Sequence, residues 1–238
     1  MLNFIDISHW QEAIDESTAF TQVDAVIVKA TEGIGFVDPC CDRFIWAAIE
    51  AGIPWGFYHF ANDKDPVHEA DYFIANCLDY FGKGIPVLDW ETTQNVEWVN
   101  SFVNRVHDRT QVWPWIYGNA WRFDQGGVEP NCMRWVARYP NVNSPSFGWA
   151  ASQETPECDG LVGAWQFCSD GALNGYAGDL DFDLFYGDTE AWSRYATGDR
   201  RDDGSTGSGD AGDTGSGVQR GEILTVENED YKVTVEKL

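Results

Sequence analysis

Two acidic residues, Asp89 and Glu91, lie two positions apart at the end of an apolar run over residues 85–90. Because side chains two apart on a strand project to the same side, a strand here would place both carboxylates on one face. At the end of a buried strand such a pair lowers stability, since each group resists desolvation and repels its neighbour. It suits glycoside hydrolysis, in which one acid keeps its proton while the other carries negative charge. Two solvated acids just beyond a strand end are the alternative for this segment alone.

The composition narrows the classes of partner. The chain has 238 residues and a net charge of −24, which argues against binding to nucleic acid or to an anionic membrane surface. It contains no apolar run long enough to span a bilayer. The six cysteines form no C-x-x-C pair and have no histidine at ligand spacing, so we predict neither a metal site nor a cofactor. They are either buried thiols or disulfide partners.

Strand and helix patterns alternate in the first half of the chain, which predicts βαβ units and a mostly parallel sheet. We predict helices over residues 40–51, 65–81 and 95–109, from their apolar periodicity and from the capping residues at their ends. The predicted strands cover residues 3–7, 25–30, 54–60, 85–90, 113–117, 134–137, 163–167 and 180–185. Eight strands with few helices in the second half predict an α/β fold, an irregular (β/α) barrel that is TIM-barrel-like with incomplete helices.

The composition also divides the chain into three parts. Residues 1–196 are predicted to form the catalytic barrel, and residues 197–220 a flexible acidic linker rich in Gly, Ser and Asp. Residues 221–238 alternate apolar and polar side chains around an Asn-Glu-Asp turn, which predicts a short β-hairpin-like tail. Because a lone hairpin is marginally stable in water, we expect this tail to dock, to mediate self-association or to belong to a larger module.

Polar residues recur near the predicted ends of several strands. Barrel enzymes assemble their sites at the carboxyl ends of the strands, so these side chains are expected to meet at one rim. Glu32 is interpreted either as a pocket residue or as the ion-pair partner of Lys29 or of an arginine. The set comprises Asp6, Glu32, Tyr58, His59, Asp89, Glu91, Tyr117, Gln166 and Asp181.

In their order along the chain, these segments resemble the glycoside hydrolase family 25 lysozymes, the Chalaropsis-type N-acetylmuramidases. The resemblance covers about residues 3–187 and implies an irregular β/α barrel. It also implies cleavage of the β-1,4 bond between N-acetylmuramic acid and N-acetylglucosamine, so that peptidoglycan glycan strands are the expected partner. The matching segments are IDIS (5–8), WQ (10–11), VKATEG (28–33), GFYHF (56–60), PVLDWE (86–91), WVARY (135–139), WQ (165–166) and LDFD (180–183).

The resemblance assigns roles to the acids. Glu91 matches the catalytic acid, and neighbouring carboxylates would raise its pKa enough to keep it protonated. Asp89 matches its partner, which stabilises the oxocarbenium-like charge directly or orients the substrate N-acetyl group for internal attack. Asp6 and Asp181 match the two further acids of the pocket. Asp183 stands where the family commonly has Asn, which leaves the local proton balance open.

The remaining candidates are substrate-binding residues. Tyr58 and Tyr117 are interpreted as hydroxyl donors to the sugar or the intermediate, with core tyrosines at strand ends as the alternative. The substrate-binding set is Tyr58, Tyr117, Glu32, Trp10, Tyr139 and Gln166.

Two other functions compete with an active muramidase. One is a catalytically weak cell-wall-binding protein on the same fold, against which the Asp89–Glu91 pair argues because a binding module has no use for the repulsion. The other is a related substrate-assisted glycosidase such as a chitinase, whose longer run of aspartates is absent here. Because no basic and apolar leader precedes the first strand, we expect either a phage endolysin made in the cytoplasm or a secreted enzyme whose signal has been removed. Either would act on the bacterial cell wall.

Overall fold

The apolar runs of the sequence form the strands of a closed barrel in a computed structural model, which describes residues 1–62 and 64–198 and the backbone of 224–227 and 232–235. Hydrogen bonds join eight strands in the order β1-β9-β8-β7-β6-β5-β4-β2, and the pairing of β1 with β2 closes the barrel. The two-residue strand β3 pairs with the carboxyl end of β2. The strands are β1 (Leu2–Ile7), β2 (Ala25–Glu32), β3 (Phe36–Val37), β4 (Trp55–Phe60), β5 (Ile85–Asp89), β6 (Trp115–Asn119), β7 (Arg134–Ala137), β8 (Val162–Gly171) and β9 (Leu180–Phe185).

The barrel is parallel except at β9, which runs antiparallel to both of its neighbours, β1 and β8. Only a short loop separates β8 from β9, and an antiparallel return needs no crossover helix. The predicted α/β barrel is confirmed, but the sequence did not predict this reversal. As a result, the rim where the parallel strands end is the rim where β9 begins.

Helices cover the outside of the barrel and are most regular in the first half of the chain. The predicted second helix ends at Cys77 rather than near Phe81, and residues 78–84 form turns instead. Tyr80 and Phe81 turn back there to pack against the Phe57 ring, with ring centroids 5.6 and 5.1 Å away. The helices are α1 (Glu16–Ala19), α2 (Cys41–Ala51), α3 (Pro66–Cys77), α4 (Val96–Thr110), α5 (Ala120–Phe123), α6 (Phe147–Ala150) and α7 (Thr189–Thr197).

The strands are apolar on both faces because two hydrophobic cores flank them. Outward-facing side chains pack against the helices, and inward-facing side chains fill the barrel below its open rim. Trp192 from α7 closes the opposite end, where its ring contacts Phe4, Trp115 and Phe185. Its indole N–H also donates to the Trp55 carbonyl oxygen at 3.0 Å. The filled interior leaves the rim as the place for a site.

The chain has a second compact unit, Arg200–Leu238. Two paired strands are the part of it that the structure describes. Strands β10 (Leu224–Glu227) and β11 (Lys232–Val235) pair antiparallel, with Leu224 opposite Val235. Beyond Gly198 the predicted linker lies outside the described residues, as does the predicted turn between these strands. The three-part division of the chain and the self-association of its tail stay predictions.

Three further observations concern membrane-spanning helices, the state of the cysteines and metal sites. No helix in the described part of the chain is both long enough and apolar enough to cross a membrane. The six cysteines are free thiols, and all but Cys158 are buried. Within residues 1–62 and 64–198, no group of His, Cys, Asp and Glu side chains is arranged to hold a metal ion.

Candidate active site

The open rim of the barrel forms a cleft of about 300 Å³. Every predicted rim or site residue lines it except Glu32 and His59, which is fully buried, so closure of the barrel brings together side chains from across the sequence. The cleft is lined by Asp6, Ile7, Ser8, Trp10, Gln11, Lys29, Tyr58, Phe60, Asp89, Glu91, Tyr117, Trp135, Tyr139, Gln166 and Asp181.

The central strand β5 delivers the acid pair. Asp89 ends the strand, and the extended chain continues because the Trp90 N–H donates to the Tyr117 carbonyl oxygen at 2.9 Å. Trp90 points away from the cleft and is fully buried in the outer core. The alternation therefore directs Asp89 and Glu91 together into the cleft. Arg122 fixes the next residues, since its Nη2 donates to the carbonyl oxygens of Glu91 and Thr92 at 2.7 Å each.

The two acids of this pair have different environments. Asp89 is only 8% exposed, and its Oδ1 has no hydrogen-bond partner among the described residues. Burial, followed by the negative charges of Glu91 and Asp6, raises the pKa of Asp89 well above its ordinary value. Glu91 is exposed at the cleft mouth; desolvation raises its pKa, while the positive charges of Arg122 and Lys29 oppose the rise. The pair therefore keeps a proton to a higher pH than isolated carboxylates do.

Asp6 and Asp181 add two more acids from neighbouring strands. They are direct register partners on β1 and β9, an arrangement that exists because β9 runs antiparallel. Burial is the main cause that raises the pKa of Asp6 to about 6, and hydrogen bonds from Gln166 and Asp183 oppose it. Burial, then the negative charges of Asp6 and Glu91, raises the pKa of Asp181 to about 8. The cleft thus holds protons at neutral pH.

A hydrogen-bond chain runs across the rim from the tyrosines to Asp6. The Tyr117 hydroxyl donates to Gln166 Oε1 at 2.6 Å, and the Tyr139 hydroxyl donates to the same oxygen. Gln166 Nε2 in turn donates to Asp6 Oδ2 at 2.8 Å. In the free protein both hydroxyls are therefore committed to Gln166, and the chain orients the Asp6 carboxyl.

Two predicted side chains extend the cleft outward. Trp10 is 76% exposed and Tyr139 is 53% exposed, so each presents an aromatic ring at the rim. His9 supports the Trp10 ring, with centroids 4.8 Å apart, and is itself held by Asp38 through a 2.7 Å contact to Nδ1. Tyr58 lies deeper, and burial raises the pKa of its hydroxyl well above the ordinary value.

Glu32 lies outside the cleft lining. Its Oε2 is 2.6 Å from Lys29 Nζ, which corresponds to the ion-pair alternative considered for it above. Lys29 is a cleft residue that the sequence analysis did not select, although a lysine inside the continuous apolar strand β2 was a signal. Its charge lowers the pKa of Asp89 and of Glu91, against the larger effect of burial.

Other lining residues were also missed by the sequence analysis. Ser8, Gln11, Phe60 and Trp135 line the cleft; the segments quoted above for the family resemblance contain all four, but their residue types and spacing did not mark them as site residues. Whether these side chains reach the cleft depends on which strands become neighbours in the barrel, and a local sequence pattern does not contain that information.

Comparison with known proteins decides the family. The sequence profile of Glycosyl hydrolases family 25 matches residues 5–176, which is more than half of the chain. The chain belongs to glycosyl hydrolase family 25. The matched range includes Asp6, Asp89 and Glu91 but ends before Asp181, so the place of Asp181 at this hydrolase's cleft rests on the β1–β9 pairing.

Lysozymes are among the proteins similar to this family 25 hydrolase. Lysozyme M1 of Streptomyces globisporus is 30% identical over 206 residues, which cover 77% of this chain and 67% of that protein. The autolytic lysozyme of Clostridium acetobutylicum is 26% identical over 189 residues, or 76% of this chain and 55% of that protein. This chain therefore spans about half the length of the Clostridium relative. The crystal structure of the bacterial lysozyme from Streptomyces coelicolor matches with a TM-score of 0.68 at 26% identity, over 82% of this chain and 97% of that one.

The Asp181→Asn variant tests the proton held in the cleft. An acid with a pKa of about 8 when folded and an ordinary value of 3.8 binds its extra proton only in the folded state between these pH values. Its contribution to the free energy of unfolding is present below about pH 4 and is lost as the pH rises to about 8. Asn does not ionise, so it removes this loss. At high pH we expect the free energy of unfolding of the variant to exceed that of wild type by on the order of 1–2 kcal/mol.

Urea denaturation at about pH 5 and about pH 9 measures this difference. Asp79→Asn, which removes an exposed acid from a turn after α3, is the matched control and should gain no stability at high pH. A stability difference between Asp181→Asn and wild type that does not change with pH would contradict the expectation.

Proposed function

We propose that this hydrolase cleaves the β-1,4 bond between N-acetylmuramic acid and N-acetylglucosamine in peptidoglycan, with Glu91 as the general acid and Asp89 as its partner. The observation that carries the proposal is the Asp89–Glu91 pair, which faces one cleft with both pKa values raised. The names of the lysozyme relatives support a cell-wall glycan as the substrate.

Glu91 has the properties of a proton donor to the leaving group. It lies at the exposed mouth of the cleft, where a glycosidic oxygen can approach it. Its raised pKa keeps the proton available, while Arg122 and Lys29 limit the rise so that the carboxylate can form during the reaction. A general acid is most effective when its pKa is near the working pH.

Asp89 lies deeper than Glu91 and has a free acceptor. In the free protein, burial and its acidic neighbours favour the protonated form. Asp89 lines the cleft and its Oδ1 has no partner among the described residues, so its carboxyl group is available to a substrate amide N–H, and such a hydrogen bond favours ionisation. Substrate binding would therefore charge Asp89 at the moment when positive charge develops on the sugar.

We propose the substrate-assisted route for this chemistry. The N-acetyl carbonyl oxygen of the muramic acid residue bonds to its anomeric carbon as the glycosidic C–O bond breaks, and the Glu91 proton passes to the leaving oxygen. Asp89 orients the N-acetyl group and stabilises the resulting oxazolinium ion. Water then attacks the anomeric carbon, and the bond from that carbon to the N-acetyl oxygen breaks, which regenerates the N-acetyl group. The proton of the water passes to the Glu91 carboxylate, which restores the acid.

The rim offers surfaces for the flanking sugars. The exposed rings of Trp10 and Tyr139 are of the kind on which sugar rings stack. Tyr58 and Tyr117 are proposed to contact the sugar in the inner cleft, where Tyr117 would exchange its bond to Gln166 for one to the substrate. The bacterial cell wall is the proposed place of action, and the phage or secreted setting stays a prediction.

Glu91→Gln tests the assignment of the acid. Because the amide cannot donate a proton of suitable acidity, we expect the release of reducing ends from purified peptidoglycan to fall by roughly 10²–10⁴-fold. Glu97→Gln, an exposed change of the same type on α4, is the matched control and should retain wild-type activity. Borohydride reduction followed by sugar analysis identifies the new end.

The outcomes separate the proposal from its competitors. Muramic acid ends from wild type, lost in Glu91→Gln, are the expected result. Glucosamine ends would retain the acid pair but overturn the bond assignment. No release by wild type from several types of cell wall would favour a binding protein instead.

The substrate-assisted route is tested by removing its nucleophile from the substrate. For peptidoglycan that lacks the N-acetyl group on muramic acid, kcat should fall by roughly 10²-fold or by more than that. Chemical re-acetylation should restore the rate. Asp89→Asn should lower kcat strongly on acetylated substrate but add little further loss on the deacetylated one, because the group that Asp89 orients is gone. Independent, multiplicative losses would favour direct electrostatic stabilisation by Asp89.

A further inference from the structure

Asp183 is an acid that the mechanism above does not use. It lies on β9, two residues after Asp181, so its side chain points into the barrel one level below the rim. It is fully buried, with 0% exposure, and is flanked in register by Phe4 of β1 and Gln166 of β8. A carboxyl group in such a place requires partners for both oxygens.

The two oxygens of Asp183 are not equally supplied with donors. Oδ1 accepts a hydrogen bond from the Trp135 indole N–H at 2.9 Å. Oδ2 is buried, and no N–H or hydroxyl group in the described part of the chain donates to it. The carboxyl group of Asp6, on the neighbouring strand β1, lies close enough to Asp183 for the two acids to share a hydrogen bond. Two carboxyl groups can share a hydrogen bond only when one of them carries a proton.

The surroundings decide which acid carries this proton. Asp6 lines the cleft and already accepts from Gln166 Nε2 at 2.8 Å, so its negative charge has a second donor. Asp183 is enclosed, and among the described residues the Trp135 indole N–H is the one donor to its carboxyl group. The charged groups that act on it, Asp6 from β1 and Asp181 from β9, are both acids, and the facing groups from β7 and β8 are neutral. Each of these factors favours the neutral form of Asp183.

We propose that Asp183 is a positioning residue that, as a neutral carboxylic acid, donates a hydrogen bond to the Asp6 carboxylate and so fixes the negative charge of the inner cleft on Asp6. The burial of Asp183 and the charges of Asp6 and Asp181, which raise its pKa well above the ordinary range, agree with this form. Asp6 then has two donors, one from Gln166 at its side and one from Asp183 below.

The ionised state of Asp6 also affects the pKa values of the other acids of the cleft. The negative charge of Asp6 is one of the causes that raise the pKa of Asp89 and of Asp181. A donor that keeps Asp6 ionised therefore helps its neighbours to keep their protons. The effect on hydrolysis rests on the proposed function, whereas the protonation of Asp183 does not.

Two substitutions separate a neutral donor from a charged or a merely space-filling group. In Asp183→Asn the amide can accept from Trp135 and donate to Asp6, so the pKa of Asp6 should stay within ~0.5 units of its wild-type value. In Asp183→Leu, which keeps the branched shape but is larger and has no polar atom, the donor is lost, and the pKa of Asp6 should rise by about one unit or more.

The measurement is a pH titration of side-chain carboxyl ¹³C resonances in the full chain, with Asp6 and Asp183 assigned from Asp6→Asn and Asp183→Asn. In wild type we expect Asp6 to titrate near its value of about 6 and Asp183 to stay protonated beyond that pH. Asp183 titrating below Asp6, or an Asp6 pKa that falls by about one unit or more in Asp183→Asn, would show a charged Asp183 and overturn the proposal.

These readouts need neither the Leu variant to fold nor the protein to be active. If Asp183→Leu folds and leaves the pKa of Asp6 unchanged, the donor role is overturned as well. A parallel pH profile of kcat/KM on peptidoglycan should show its acidic limb move upward in Asp183→Leu and stay in place in Asp183→Asn. Absence of activity in wild type would sink the proposed function while leaving the NMR result decisive for Asp183.

Discussion

Crowding of carboxyl groups at the barrel rim is the constraint on which the rest of this site depends. Closure of eight strands places acids from β1, β5 and β9 around a cleft of about 300 Å³. Lys29 is the one cationic side chain that lines the cleft within the described residues, so the acids cannot all ionise together. Retained protons, which a glycosidase needs, are a direct result of this geometry.

The remainder of the fold maintains that crowded arrangement. Neutral donors hold individual acids in place, namely Gln166 at Asp6 and the Trp135 indole at Asp183. Arg122 restrains the backbone after Asp89 without an ion pair to the acids, since it donates to carbonyl oxygens. The apolar filling of the barrel and its closure by α7 provide the rigid support that such unfavourable proximity requires.

The sequence predicted those features that depend on local patterns. Apolar runs located the eight barrel strands, and the i, i+2 spacing of Asp89 and Glu91 placed both in one cleft because β5 is extended through Trp90. The direction of β9 was not predictable in this way, since period-two alternation is the same for parallel and antiparallel strands. Lys29 and the Asp6–Asp183 contact were missed because each depends on neighbours that barrel closure selects.

Neutron diffraction from crystals at about pH 7 would test the central claim most directly, since it locates the protons on the cleft carboxyl groups. Our account predicts nuclear density for a proton or deuteron on Asp89, Asp181 and Asp183, and none on Asp6, whose pKa of about 6 leaves it mostly ionised. If all four of these groups were ionised, the account would be contradicted, because the repulsion between them would then be relieved by something other than retained protons.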